Sequence, residues 1–324
     1  MIFGCAEARR QTKKNRQLRM HVDIFQKLDS KFIESYRVNK DVFKMLLDKI
    51  GSRLAERHWF ITPTTQLAAT LRFLATGSYQ LGISKDQDVN IGRSTFSKVL
   101  HFAVQELESC LCEEYIQLRM TPAEMNASKE HFYREFNFPG VIGKGYFSIN
   151  AMVICNYNME IVAVDASHPG SCHDSFIWNQ SYARQFYSNN RAQNTWILAD
   201  SGYALETFVM TPYRNPQHGS IEHAFNKRHA SARNIIERTI GLLKSRFRCL
   251  QGTLHYEPKF VAQLVNVCCA LHNICRRRNI QMNEENGHDL EMTSRNAEDE
   301  SDNDYQAALD GGEMRDEVAR SFQI

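Results

Sequence analysis

Residues 136–150, "FNFPGVIGKGYFSIN", decide the fold because they join two strand patterns with almost nothing between them. In "FPGVIG", Pro139 and Gly140 mark a turn before a buried strand, and "GYFSINAMVIC" is a second, complete strand pattern. Only Gly143 and Lys144 separate the two. The stretch therefore predicts either a tight hairpin or a junction at which a segment is absent.

Beyond this stretch the sequence predicts a small sheet with helices around it. "GYFSINAMVICN" and "EIVAVDASH", with a turn at "NYNM", predict a β-hairpin over residues 145–167. "TWILAD" is a short buried strand that ends in the loop "DSGY", and "SCHDSFIWNQSYARQFYSN" is helical. "ASARNIIERTIGLLKSRFRCL" and "PKFVAQLVNVCCALHNICRRRN" are long helices. This mixture indicates an α/β or α+β domain.

Residues 23–112 are rich in helices and show no convincing strand. "TPTTQLAATLRFLATG" and "GRSTFSKVLHFAVQELESCL" both begin with a Ser/Thr cap signal, and an irregular segment separates them. The pair could form a helix-turn-helix that presents Lys98 to DNA. The alternative, favoured by the pattern alone, is that both helices simply build the core.

Composition places the chain among soluble globular proteins, with 43% hydrophobic and 23% charged residues in 324. No apolar run has the length of a membrane span, and the N-terminal region is basic rather than apolar. Nine cysteines without regular spacing indicate reduced thiols. We expect the nucleus as the compartment, with the cytoplasm second.

The net charge of +2 conceals a basic body and an acidic C-terminal segment. Residues 284–324 carry 13 acidic and 3 basic side chains, which leaves 36 basic against 24 acidic in the rest of the chain. This asymmetry suits a protein that meets nucleic acid, although an ordinary basic protein with a solubilising tail would show it too. We predict four regions, listed here with their boundaries: a disordered basic arm, 1–22; a helical region with a possible helix-turn-helix, 23–135; an α/β or α+β domain, 136–281; and a disordered acidic tail, 282–324.

Two carboxylates lie where site residues are expected. Asp200 follows the apolar strand "WILA" directly, and open α/β sheets place ligand-binding groups at such strand ends. Glu237 lies within a helix, with Arg233 and Lys244 at i−4 and i+7 on the same face. This row is either an ion-paired surface or a metal ligand flanked by phosphate-binding cations.

Five blocks in order resemble the Harbinger (PIF/IS5-like) transposases and the host nucleases derived from them: "FNFPGVIG", "HPGSCHDSFIW", "LADSGY", "SARNIIERTIGLLKSRFRCL" and "CCALHNIC". The resemblance implies a ribonuclease-H-like fold (the DDE transposase/integrase core) with an Asp-Asp-Glu triad. It assigns catalytic and metal-ligand roles to Asp200 and Glu237, which are separated by 36 residues. It also implies phosphate contacts by Arg233 and Lys244, whereas Ala230 stands where the family has Tyr.

The same resemblance implies Mg²⁺ or Mn²⁺ as the cofactor, DNA as the substrate and a Myb/SANT-like protein as a partner. Hard divalent cations prefer carboxylate oxygens, and two such ions activate water and stabilise the leaving oxygen in phosphodiester hydrolysis. Three carboxylates from separate elements are needed to hold the pair.

Further candidates have weaker support. The family shows a similar Gly-Ser-x-His-Asp sequence at His173 and Asp174, which predicts a supporting loop with a secondary metal role for Asp174, but capping of the next helix by Asp174 is the favoured interpretation. His168 belongs to the same loop, and Asp165 is expected at an edge or facing solvent. Three more residues, Cys268, His272 and Cys275, have the donor types of a zinc site but the spacing of a helix core, which we favour.

The first Asp of the family triad has no counterpart in this chain. In the family, "FPGVIG" leads into a strand that bears this Asp within "IDGTH", but no Asp occurs here between Phe138 and Ile161. We therefore expect impaired hydrolysis and a missing central strand at 143/144, the pattern also produced by a spliced form that lacks a segment. The predicted function is a metal-dependent DNA nuclease that is impaired in this chain. The alternative is a non-enzymatic DNA-binding or scaffold protein.

Overall fold

The structure is a computed structural model, and it describes residues 23–56, 61–77, 89, 91–148, 151–168, 172, 174–190, 192, 194–282 and 305–323. The basic arm predicted for residues 1–22 lies outside this set. The described residues fall into two compact units. We call residues up to 112 together with 244–282 the helical unit, and residues 113–243 together with 305–323 the sheet unit.

The helical unit is built from amphipathic helices whose apolar stripes are buried. Its helices are α1 (Asp29–Tyr36), α2 (Lys40–Glu56), α3 (Pro63–Thr76), α4 (Arg93–Tyr115) and α9 (Pro258–Arg277), with 3₁₀ turns at Ile24–Gln26 and Arg248–Leu250. The helix α3 begins at a Thr62 cap and ends at Gly77, as predicted. The stripe predicted for α4 is buried at Phe96, Val99 and Leu107.

The sheet unit contains five strands and the remaining helices. In chain order these are α5 (Pro122–Phe136), β1 (Val141–Ser148), β2 (Ala151–Cys155), β3 (Ile161–Asp165), α6 (Asp174–Gln180), α7 (Tyr182–Asn189), β4 (Trp196–Leu198), β5 (Val209–Met210), α8 (Ile221–Arg246) and α10 (Tyr305–Arg320), with a 3₁₀ turn at Ser321–Gln323. The last three residues of α8 group with the helical unit.

The sheet has the order β3-β2-β1-β4-β5, with β1 at its centre. Strand β1 pairs with β2 antiparallel and with β4 parallel, and β2 and β3 form the predicted hairpin. The prediction that the central strand is missing at 143/144 is therefore wrong. The residues on both sides of the junction form one continuous strand, because "VIG" pairs along β4 while "KGYFS" pairs along β2.

A glycine and a tryptophan align the start of β1 with β4. Gly140 has a φ of +76°, and a Cβ on it would lie 2.4 Å from Cζ2 of Trp196. The Trp196 indole donates a 2.7 Å hydrogen bond to the Pro139 carbonyl. The turn residues of "FPG" therefore hold the two parallel strands together where both begin.

A β-bulge follows in β1 and changes which face its residues occupy. Val141 pairs with Trp196 and Gly143 with Ile197, so two residues of β1 advance against one of β4. Ile142 belongs to the apolar core on the face that α6 and α7 cover. Side chains alternate along a strand, so without the bulge Lys144 would share that face.

The C-terminal region differs from the prediction of a disordered acidic tail over 282–324. Residues 305–320 form α10, and the following turn carries Phe322 against Phe138 and Phe225 at ring-centroid distances of 5.4 and 6.0 Å. Arg315 lies 3.8 Å above the Tyr213 ring, and that tyrosine donates to Asp316 at 2.6 Å. Aromatic and cation–π contacts thus order a segment whose composition alone suggests disorder.

No helix among the described residues is both long and apolar enough to cross a membrane.

Candidate functional site

Asp200 lies just past β4, on the face of the sheet that α8 covers. Its neighbour Ala199 belongs to the core on the opposite face, so alternation turns Asp200 toward α8. The Asp200 carboxylate accepts a 3.0 Å hydrogen bond from the Gly202 backbone N–H, and the side chain is partly buried. The loop after β4 therefore fixes one oxygen of the carboxylate at the end of the strand.

Glu237 is presented by α8, above the same face of the sheet. Its Oε1 lies 3.1 Å from Nε of Arg233, one turn earlier, and the Glu237 side chain is 47% exposed. Two residues on, the buried Thr239 hydroxyl contacts Sγ of Cys155 on β2 at 3.6 Å. This contact attaches the helix to the sheet beside Glu237. The Glu237 carboxylate itself forms an ion pair with Arg233.

Lys144 stands on the central strand, directly after "FPGVIG", where the resemblance predicts a catalytic Asp. It pairs with Cys155 of β2 and Leu198 of β4, and the bulge turns it toward α8. Lys144 is 1% exposed, and its Nζ has no hydrogen-bond partner among the described residues.

Burial and the charges near Lys144 shift the pKa of its ammonium in opposite directions. Burial lowers the pKa of the Lys144 ammonium well below the usual range of a lysine, and the Arg233 guanidinium acts in the same direction. The opposing influences come from Cys155, Glu237 and Asp200. The buried amine therefore lies within electrostatic range of both candidate catalytic carboxylates.

These residues do not fit the metal pair that the family resemblance implies. Within the described part of the chain, no three His, Cys, Asp or Glu side chains come together so as to hold a metal ion. Asp200 and Glu237 lie within electrostatic range of a buried amine rather than of a third carboxylate, and Glu237 is paired with Arg233. An amine supplies neither the oxygen nor the negative charge that hard divalent cations prefer.

Two further residues with predicted phosphate contacts belong to the helical unit. Lys244 lies two turns beyond Glu237 on α8, where burial lowers the pKa of its ammonium. Lys98 is exposed on α4 of the helical unit. The helix-turn-helix prediction stays a prediction, because the segment between α3 and α4 lies largely outside the described residues.

The predicted supporting loop is described only in part. His173 lies outside the described residues, and Asp174 is the first residue of α6, which agrees with a position at a helix start. Asp165 accepts hydrogen bonds from the Ser167 backbone N–H and hydroxyl at 3.0 and 2.6 Å, and His168 lies 3.5 Å from it. The Asp165 carboxylate thus stabilises the turn that follows β3.

The cysteines of α9 belong to the core of the helical unit. Cys268, His272 and Cys275 are at most 1% exposed, as the core interpretation predicts. Sγ of Cys268 lies 3.9 Å from Sγ of Cys249, and the Cys275 thiol donates to the Arg37 carbonyl at 3.5 Å.

The sequence did not reveal three buried polar residues around the site. Lys144 could have been noticed as a single charge inside an apolar, glycine-flanked strand. Glu206 accepts from the Trp178 indole at 2.7 Å and pairs with Arg184 at 3.1 Å, which anchors the loop after Asp200. His229 of α8 bonds the Met210 carbonyl at 3.2 Å, and burial lowers its pKa to about 3. Neither Glu206 nor His229 lies in a recognisable motif.

Comparison with known proteins defines the class of this domain. Residues 141–273 match the family described as DDE superfamily endonuclease. The match begins at β1 and includes Asp200, Glu237 and the sheet around them. The chain thus contains a DDE superfamily endonuclease domain, and the ribonuclease-H-like fold that we predicted is confirmed.

The individual relatives agree with the Harbinger resemblance. The chain is homologous to the Bos taurus protein named "Putative nuclease HARBI1", with 28% identity over 274 positions that cover 76% of this chain and 77% of that protein. The Homo sapiens protein of the same name is 27% identical with the same coverage. The Arabidopsis thaliana "Protein ALP1-like" is 26% identical over 146 positions, which cover 41% of this chain and 36% of that protein. No solved structure matches this chain.

Part of the alignment with the Bos taurus HARBI1 protein has no counterpart in this chain. The alignment with the Bos taurus protein has 274 positions, but 76% of 324 residues is only about 246. About 28 positions of the alignment therefore have no residue of this chain.

Proposed function

We propose that this chain is a DNA-binding protein derived from a DDE nuclease, in which hydrolysis of phosphodiester bonds is impaired. The observation that carries the proposal is the composition of the site: the central strand presents the buried Lys144 on the face of the sheet where Asp200 follows β4 and α8 carries Glu237. The endonuclease domain and its relatives support nucleic acid as the ligand. The loss of the first carboxylate supports impairment, because a metal pair requires more than two ligands to leave open positions for substrate.

The first experiment measures binding and cleavage by the full chain separately. Binding of a fluorescent DNA duplex in EDTA should weaken as salt rises, because phosphate contacts release counterions. Nicking of supercoiled plasmid with Mg²⁺ or Mn²⁺ should not exceed that of Asp200→Ala and Glu237→Ala. Metal-dependent nicking that both substitutions abolish would contradict the impairment, and binding that ignores salt would exclude phosphate contacts as its source.

A matched pair of variants tests the proposed contact by Lys98. Lys98→Ala removes an exposed cation from α4, and we expect the magnitude of the slope of log affinity against log salt to fall by about 1. Lys31→Ala removes the same charge from α1, where Lys31 is paired with Glu34 at 2.8 Å, and should leave the slope unchanged. Equal effects of the two substitutions would mean that only total charge matters.

The second candidate function is a non-enzymatic scaffold that acts in the nucleus with a Myb/SANT-like partner. The buried amine between the candidate catalytic residues favours it, because the fold is retained while the site chemistry is altered. Titration of the chain with a purified Myb/SANT domain, with and without DNA, distinguishes the two candidates. A scaffold binds the domain without DNA, whereas a protein that acts on DNA alone does not.

A further inference from the structure

Lys144 is held rigidly in the position from which it approaches Asp200 and Glu237. The residues on either side are glycines with close neighbours: a Cβ on Gly143 would lie 3.1 Å from the Cys155 carbonyl oxygen, and one on Gly145 would lie 3.3 Å from the Tyr203 hydroxyl. The bulge before them turns Lys144 toward α8. The Lys144 side chain therefore extends between the central strand and the helix that carries Glu237.

A buried amine without a hydrogen-bond partner is expensive, so its position calls for an explanation. Transfer of an unpaired ammonium into a protein interior costs several kcal/mol, and even a neutral amine loses its hydrogen bonds to water. Lys144 bears this cost with its Nζ fully covered. The nearby carboxylates of Asp200 and Glu237 offset part of it, as their effect on the Lys144 pKa shows.

The same arrangement is unfavourable for a divalent cation. A protonated Nζ repels the ion, and in either protonation state the Lys144 side chain fills buried space on the face of the sheet that carries Asp200. Glu237 is in addition directed to Arg233 at 3.1 Å. The number of negatively charged ligands is one of the main determinants of affinity for hard cations. An amine in place of a carboxylate lowers that affinity in two ways, because it removes an oxygen ligand and removes a negative charge.

We infer that Lys144 keeps divalent cations out of the Asp200–Glu237 site, so that this chain meets DNA as a metal-free protein. The inference rests on the proposed function for the ligand, but it concerns the metal alone. Lys144 is then a residue that determines which ions the site accepts.

The experiment is a Mn²⁺ titration of the full chain without DNA, in which electron paramagnetic resonance reports the free ion. Five variants are compared with the wild type: Asp200→Ala, Lys144→Asp, Lys144→Met, Lys144→Asp combined with Asp200→Ala, and Lys227→Asp. Lys227 is exposed on α8, so its substitution makes the same change of charge away from the site. Lys144→Met keeps the length and burial of the side chain, and decides the test if Lys144→Asp does not fold.

We expect the wild type to bind no Mn²⁺ that depends on Asp200. Lys144→Asp should bind Mn²⁺ at least about tenfold more tightly, Lys144→Met should gain about threefold, and the double variant should lose the gain. Lys227→Asp should resemble the wild type. The inference is overturned if the wild type binds Mn²⁺ in a manner that Asp200→Ala abolishes. It is overturned equally if Lys144→Met and Lys144→Asp bind no better than Lys227→Asp.

These outcomes are independent of the proposed function. A wild-type chain that binds Mn²⁺ through Asp200 but does not cleave DNA contradicts the inference and leaves impaired hydrolysis in place. A chain that excludes Mn²⁺ but shows no salt-dependent DNA binding contradicts the proposed function and leaves the role of Lys144 in place.

Discussion

Strands β1 and β4 lie side by side at the centre of the sheet, yet they contribute different kinds of side chain to the candidate site. Strand β4 keeps its carboxylate, Asp200, and the loop that orients it. Strand β1 occupies the centre of the sheet and pairs with both neighbours, and it carries the buried Lys144 where the family resemblance predicts an Asp. Backbone pairing tolerates almost any residue that fits the pleat, whereas metal chemistry requires particular ligands.

The pairing of β1 completes the sheet whatever side chain stands at position 144. An unpaired central position would have exposed the hydrogen-bonding edges of β2 and β4. The segment "KGYFS" fills that position and turns directly into β2. The sheet is thereby complete, and Lys144 lies on its central strand.

The largest expected effect comes from breaking the link between β1 and β4 at Gly140. Gly140→Ala puts a methyl group into the Trp196 ring and strains a φ of +76°. We expect a loss of about 4 kcal/mol in the free energy of unfolding, measured by urea denaturation.

Gly219 provides the matched control for this substitution. Its φ is +85°, but a Cβ there would meet no atom within 4 Å. Gly219→Ala should therefore cost only about 1 kcal/mol, the backbone contribution alone. Equal losses at the two glycines would show that contact with Trp196 does not fix the register of the strands.

Glu206 tests whether the β4 side of the site depends on its buried loop. Glu206→Ala removes the acceptor of the Trp178 indole and an ion-pair partner of Arg184, and should cost about 3 kcal/mol. Glu206→Gln retains an acceptor and should cost less. Glu130 is exposed on α5, and Glu130→Ala should stay within about 0.5 kcal/mol. Equal melting temperatures of Glu206→Ala and Glu130→Ala in thermal unfolding would contradict this ranking.

His229 makes the attachment of α8 to β5 sensitive to acid. Its pKa is lowered to about 3 in the folded protein, against about 6.5 in an unfolded chain. The unfolded state therefore takes up the proton first, and stability is lost as pH falls from about 6.5 towards 3. Between pH 6.5 and 5, the wild type should lose about 2 kcal/mol more than His229→Gln. Parallel stability profiles for the two proteins would show that His229 titrates normally.

Much of this fold could be predicted because its elements follow local patterns. Periodicity and flanking turns predict the β2–β3 hairpin, the strand before Asp200 and the helix around Glu237. The continuity of β1 could not, because it depends on pairing with β4 and on a bulge that periodicity does not encode. The burial of Lys144 follows from that bulge, so this part of the site became visible only with the sheet. The order of α10 likewise depends on tertiary contacts of Arg315 and Phe322.

The smallest expected effect concerns the ion pair between Arg233 and Glu237. The pair lies one turn apart on α8 with side chains 26% and 47% exposed, so solvent screens it. Arg233→Gln should change the free energy of unfolding by only about 0.4 kcal/mol. In a Lys144→Asp background the same substitution should tighten Mn²⁺ binding a few-fold, because it releases Glu237 and removes a nearby positive charge. Unchanged Mn²⁺ affinity would place Glu237 outside the site and leave Asp200 and residue 144 as its determinants.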